Sequence, residues 1–342
     1  MPKGYLRVAG ESLPGNETNT PTLSTKKVFL PIQSFALKPG PKPMSRDDEL
    51  RNQDEPLPVL AEAYDPTWDL GMRMYPESLG ILLMLLCGAP STEAGNGVIT
   101  DLSGAKIPTN AYRHRWTAPF GPSGAEPLTA QFDAAYADQG VYWKVKGAAA
   151  ESLGISTPES GGATLSVSGV ALYGDKQSNP SLSPEYEELS VRPFTRAGLT
   201  LPTNLANTGV TEDFTLNISN PVAPVRSLGI ASRWADVMEK DNAGPVVVSG
   251  TIPKRILDED DIVALKEATG FELLASWVSD SIIASGYPYK FLAKASNAQY
   301  VDGEPDALEN KRRHGANFSW KSTSPSSGST TFELVNKVSS YA

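Results

Sequence analysis

Histidine and cysteine are almost absent, and their scarcity narrows the chemistry. The 342 residues include one cysteine, Cys87, and two histidines, His114 and His314. A single thiol forms no intramolecular disulfide. Cys87 lies in the most apolar run of the chain and reads as a small buried hydrophobe. His114 stands between Arg113 and Arg115 on a predicted strand, and His314 follows Lys311-Arg312-Arg313. Neither has the close Cys, His or acid spacing of a zinc site. No Gly-x-Ser-x-Gly elbow occurs. Gly121-Pro122-Ser123-Gly124 and Gly161-Gly162 read as turns, because a phosphate loop would lead into a helix carrying a lysine. No catalytic residue, cofactor or metal is expected.

Basic residues are in deficit as well. Lys and Arg total 30 against 39 Asp and Glu, a net charge of −9. A nucleic-acid-binding surface wants a basic stripe that displaces counterions, so this balance disfavours one. The Lys311–His314 patch is small and reads as a solvated loop or a subunit salt bridge. Long hydrophobic runs are missing too. Ile81–Cys87 is far too short to span a bilayer. Met1-Pro2-Lys3-Gly4-Tyr5-Leu6-Arg7 has no apolar signal region. The expectation is a soluble product of a cytoplasm. What the chain has in plenty is glycine and proline, 29 and 28, which favour turns and short strands over a helical bundle.

The chain is organised around residues 68–90. Trp68, Leu70, Met72 and Met74 alternate with Asp69, Gly71, Arg73 and Tyr75, which predicts a strand. The period changes at Pro76, suited to the first turn of a helix, and Glu77 adds negative charge at its positive end. Leu79–Cys87 is apolar on every side, so the helix is expected to be buried all round. Gly88 and Pro90 stop it.

Residues 1–25 are polar and turn-rich and read as a mobile arm or long loop. Lys27–Leu37 has strand composition, with Pro31 confining it to an edge or a bend. Lys38–Pro43 reads as a stiff connector. Strands are predicted at 110–117, 127–133, 140–147 and 149–156. Others fall at 163–172, 188–194, 213–219, 244–252, 272–278, 281–293, 316–321 and 330–335. Residues 174–187 form a polar loop. In 163–172 Leu165 and Val167 face one way and Ser166 and Ser168 the other. In 213–219 Phe214, Leu216 and Ile218 alternate with Thr215, Asn217 and Ser219. A second helix is expected over Asp258–Thr269. Asp258 is its cap, acids fill its first turn, and Ile262, Val263, Leu265 and Ala268 form its apolar stripe. The fold class is mainly β, an antiparallel sandwich or barrel with one or two short helices and long loops.

This order of elements resembles the tail tube proteins of long-tailed bacteriophages. The words that carry the resemblance begin with Pro76-Glu77-Ser78-Leu79-Gly80 and the Leu-rich helix ending at Gly88. They continue with Tyr112-Arg113-His114 and Trp116, Pro127-Leu128-Thr129, Gly140-Val141, and residues 153–156 and 163–169. The resemblance covers roughly residues 65–340. It implies a single tail-tube domain over 1–342, with an extended arm at 1–55 and the sandwich or barrel at 56–342. It also implies a homo-oligomer, commonly hexameric rings, that stack into a hollow tube through which DNA leaves the capsid. The implied partners are other tail proteins: tape measure, terminator, and baseplate or tip. The implied location is the virion tail, with assembly in the host cytoplasm and no membrane.

Two sets of residues follow from that expectation. Val28, Phe29, Leu30, Ile32 and Phe35 form an apolar set between Pro- and Thr-rich connectors and are expected at a subunit interface. Asp133, Asp138, Glu151 and Glu159 are candidates for an acidic lumen that passes DNA without binding it specifically. Two other readings stay open here: a carbohydrate-binding or adhesive β-sandwich, with exposed aromatics as its platform, and the tube component of a bacterial secretion apparatus.

Overall fold

Trp68, Leu70, Met72 and Met74 are all buried, as strand alternation requires of one face. The computed structural model describes residues 4–44, 60–118, 120, 127–136, 139–157, 162–184, 186, 191–202, 205, 214–226, 233–240, 246–254, 259–305, 316–323 and 330–341. The chain opens with β1 (Gly4–Leu13), β2 (Thr22–Leu30), β3 (Ile32–Lys38), β4 (Pro41–Met44), β5 (Leu60–Tyr64) and β6 (Thr67–Arg73). Helix α1 (Ser78–Cys87) follows, then β7 (Ser91–Ala94), β8 (Tyr112–Thr117), β9 (Thr129–Tyr136) and β10 (Val141–Ser156). Next come β11 (Thr164–Val170), β12 (Tyr173–Lys176), β13 (Phe194–Thr200), β14 (Thr215–Ser219), β15 (Val222–Val225), β16 (Val237–Lys240) and β17 (Val247–Lys254). Helix α2 (Glu259–Lys266), β18 (Phe271–Ala284), β19 (Tyr287–Pro305), β20 (Ala316–Ser322) and β21 (Thr330–Asn336) complete it.

All ten residues of α1 are buried, so a helix this apolar needs the whole core around it. Side chains from distant parts of the chain tie both its ends, and at the far end they meet carbonyls that lack partners within the helix. At the far end Gly88, at φ +88°, donates its N–H to Met84 O. Asn220 Nδ2 donates to Leu86 O at 2.7 Å and Trp116 Nε1 to Gly88 O at 2.8 Å. At the near end Asn336 Nδ2 donates to Pro76 O at 3.0 Å and the Tyr341 hydroxyl to Glu77 O at 2.9 Å. Glu77 itself makes no side-chain cap.

The strands pair antiparallel in one large barrel-like sheet whose pairings branch at β10 and β19. One flank runs β2–β1–β9–β10–β12. The other runs β3–β6–β11–β10–β14–β17–β20–β19–β18–β13. A branch, β21–β8–β7, joins the free side of β19. Strand β10 belongs to both flanks, and Gly147 is its corner. Gly147 has φ +60°, and a Cβ there would stand 2.6 Å from Leu172. A left-handed residue with no side chain lets the strand kink without ending. The buried Glu11 carboxylate holds the kink by accepting the Gly147 N–H at 3.1 Å and the Thr129 hydroxyl at 2.8 Å. Burial pushes the Glu11 carboxyl above its usual range, and those donors pull it part of the way back.

Several expectations change. Residues 4–38 are not an arm: β1 is paired on both sides, by β2 and by β9, and β3 pairs with β6. Their polar composition hid a strand whose Leu6 and Val8 are fully buried. Pro31 divides the expected 27–37 strand into β2 and β3. Strand β4, Pro41–Met44, which takes in the end of the expected connector, pairs with β5. The two strands predicted at 140–147 and 149–156 are the single β10. The break expected near residue 280 is absent, because the turn lies at Ser285-Gly286, with φ +49° and +78°. Two consecutive left-handed residues are the signature of the tight hairpin turn that continues the strands' twist. Of the strand expected at 188–194, residues 188–190 lie outside the described residues, 191–193 are not strand, and β13 begins at Phe194; part of the expected polar loop is β12. In α2 the buried residues are Asp261 and Ala264, while Val263 of the expected stripe is 40 % exposed. Asp258 lies outside the described residues.

Candidate assembly surface

Strand β13 has almost no core-facing side. Thr195, Arg196, Ala197, Gly198 and Thr200 are exposed, and only Phe194 is buried. All four residues of β7 are exposed. Such strands gain little from burial in their own chain. Among the described residues β2, β3, β7, β12 and β13 each pair with one neighbouring strand; their second edges carry no further strand, although Phe29 of β2 bridges Tyr186 and Phe35 O of β3 accepts the Tyr136 hydroxyl.

Next to β7, the segment from Gly95 to Ile107 is a stiff ledge. Asn96 Oδ1 accepts the N–H groups of Val98 and Ile99 at 2.8 and 3.0 Å. Asp101 locks the ledge onto the β18–β19 hairpin, accepting from the Tyr287 hydroxyl at 2.6 Å and Lys290 Nζ at 2.8 Å. Burial raises the Asp101 carboxyl, but bonds from Lys290, Ser103, Tyr287 and the Ala105 N–H outweigh it and hold it below the usual range. Buried Glu333 accepts the Leu102 N–H at 2.9 Å and pairs with Arg115 at 2.6 Å. Val98 stands 74 % exposed on this ledge, and Ile282 near the hairpin tip is 58 % exposed.

The nominated interface residues are mostly packed within their own chain. Leu30 is fully buried, and Phe35 is buried edge-on to Phe132, with ring centroids 6.3 Å apart. Val28 and Ile32 are half-buried against the core. Phe29 packs edge-on against Tyr5 and Tyr186 at 5.8 and 6.3 Å. Ile32 also lines an open groove of about 260 Å³ between β1, β3 and β9. The premise that this set is too isolated to join a core does not hold.

The nominated acids are not gathered on one surface. Asp133 is 2 % exposed and pairs with Arg7 at 2.5 Å, so its charge is already neutralised inside the chain. Glu151 is half-buried on β10, and burial raises its carboxyl. Asp138 and Glu159 lie outside the described residues. His114 is buried between the Thr92 hydroxyl at 2.9 Å and Val338 O at 2.8 Å, and Tyr341 packs on its ring. His314 lies outside the described residues. Cys87 is buried, which pushes its thiol up. Asp261, read from sequence as part of a helix start, forms a wholly buried pair with Lys254 at 3.1 Å. The Tyr300 hydroxyl donates to Asp261 at 3.4 Å, and α2 is thereby fastened to the barrel.

A family model described as phage tail tube protein matches residues 2–322. The chain belongs to the phage tail tube protein family. A comparison with curated proteins finds no match. The match begins at residue 2, so the N-terminal strands are part of what makes this a tail tube protein. Strand β21 and the Tyr341 anchor lie beyond the matched span. No helix among the described residues of this tail tube protein is long and apolar enough to cross a membrane.

Proposed function

We propose that copies of this chain assemble into rings, six to a ring as in the resemblance, and that the rings stack into the tube that conducts DNA out of the capsid. The observation that carries the reading is β13, which exposes Thr195–Gly198 and Thr200 and packs only Phe194 and Leu199 on the core, together with the other strands that pair on one side. Contact with a neighbouring copy covers such edges and supplies the burial that the single chain lacks. Val28, Phe29 and Ile32, which keep part of their surface, belong to that contact, as do Val98 on the ledge and Ile282 near the hairpin tip. The tape measure, terminator and baseplate or tip proteins meet the ends of the stack. Assembly takes place in the host cytoplasm, and the finished protein resides in the virion tail. DNA passes without specific binding, in keeping with a net charge of −9. No catalytic role is proposed.

Electron micrographs of the purified full chain test this. Rings or tubes are the expected result, and monodisperse single particles at high concentration would overturn it. The adhesive-module reading needs an aromatic platform. Among the described residues Tyr186 is the one aromatic side chain that stands exposed.

A further inference from the structure

The solvent face of β11, β10, β14 and β17 carries no charge. Strand register places its outward residues in rows that run straight across the four strands. One row is Ser166, Gly154, Asn217 and Ser249. The row on one side of it is Thr164, Ser156, Thr215 and Thr251. On the other side lie Ser168, Ser152, Ser219 and Val247. The intervening residues, such as Leu165, Ile155 and Leu216, are buried in the core. Charged residues return only on the flanking strands, with Asp69 and Arg73 on β6 and Lys321 on β20. One-fifth of the whole chain is charged, so a surface panel of this size without charge is a local property.

The panel is also low in relief. Its side chains are short, and several hydroxyls are tied sideways rather than standing out. Ser152 bonds Ser168 at 2.7 Å, and Thr215 bonds Thr251 at 2.8 Å. From strand and residue spacing it measures about 14 Å by about 14 Å.

We infer that this hydroxyl panel is the wall of the bore and that duplex DNA slides along it. The inference rests on the tube reading above. DNA carries one charge per about 1.7 Å of axis, and a cationic wall would hold it by counterion release. Neutral hydroxyls replace the water on passing phosphates with hydrogen bonds that are alike from row to row, so no position along the strand is preferred. A face built to be buried against another protein carries an apolar centre. Here the centre is Gly154 and Asn217, and Val247 stands at the margin. The non-adhesive lining is therefore neutral, in place of the acidic one expected from the overall charge.

Thiol mapping of assembled tubes tests this, because Cys87 is buried and contributes little background. Asn217→Cys tubes are treated with a small biotin maleimide and then with streptavidin. The expected result is full labelling, with streptavidin bound only after the tubes are dissociated. Streptavidin decorating intact tubes along their length places the panel outside and overturns the inference. A thiol that reacts in free subunits but not in tubes places it at a subunit contact, with the same consequence. Ser166→Cys is the second variant should Asn217→Cys not assemble. Failure of both, while the unsubstituted chain forms tubes, also counts against a wall position. Absence of tubes from the unsubstituted chain overturns the tube reading itself, and this inference with it. As a second readout, Asn217→Lys tubes should retain added DNA. The logarithm of that retention should fall with log salt by about 0.9 for each phosphate neutralised.

Discussion

The ring of Tyr341 fills the space that a side chain on Gly80 would need. A Cβ on Gly80 would stand 2.0 Å from Tyr341 Cζ and 2.5 Å from its hydroxyl oxygen. Helix α1 therefore meets the C-terminal segment through backbone, and Tyr341 reaches across Gly80 to bond Glu77 O. Asn336 Nδ2 donates to that same hydroxyl at 2.5 Å.

Gly80→Ala should destabilise the fold by about 1–3 kcal/mol, the usual cost of forcing atoms into a packed site. In a Tyr341→Ala background the same change should cost nothing, and the glycine's poor helix propensity predicts a gain of up to about 1 kcal/mol. Urea midpoints of the four proteins in this cycle check it. Equal costs in both backgrounds would sink the contact argument.

Leu82→Ala and Leu85→Ala each leave a cavity in a helix that is buried on every side. Each should cost about 2–5 kcal/mol. An unchanged melting temperature in either variant would contradict the placement of α1 in the core.

Asp101→Ala should free the 95–107 ledge from the β18–β19 hairpin. Removing one partner of a buried ion pair typically costs about 3–5 kcal/mol. The folded-state value of Asp101 is held down, so its contribution is present above the ordinary aspartate value of about 3.9 and is lost as pH falls through the folded value. The difference in stability between wild type and Asp101→Ala should be constant from pH 5 to 8 and shrink in acid. A difference that grows in acid would refute the assignment.

Glu151 has the opposite sign. Burial raises its folded-state value, so the ionised group weakens the fold as pH rises through that value. Glu151→Gln should therefore raise the melting temperature at pH 8 and leave it unchanged at pH 3, where both states carry the proton. A gain of equal size at both values would point to packing instead of charge.

Deleting residues 1–13 removes β1 from between β2 and β9. Two strand edges are then exposed, and buried Leu6 and Val8 are lost from the core. The truncated chain should be insoluble or aggregated, as seen in sedimentation of the lysate. A soluble, folded product would restore the view of this segment as an arm.

Period is a local property, and wherever it decided the structure the sequence was enough. Alternation at Trp68–Met74 and Phe214–Ser219 and the apolar helix stopped by Gly88 follow from a few adjacent residues. So does the mainly-β class, and the order of those elements carried the resemblance to tail tube proteins. Pairing is not local. That β1 lies between β2 and β9, or that Arg7 neutralises Asp133, depends on residues more than a hundred positions away, and no local pattern encodes them. Gly147 shows the difference within one residue. In sequence it is indistinguishable from a strand-ending glycine, and only the presence of Glu11 and Leu172 around it makes it a corner in a continuous strand. The hydroxyl panel has the same origin. Its serines and threonines were visible one strand at a time as the polar half of an alternation, but a shared register set them side by side. Hydrogen bonding between strands fixes that register, and it exists only in the folded chain.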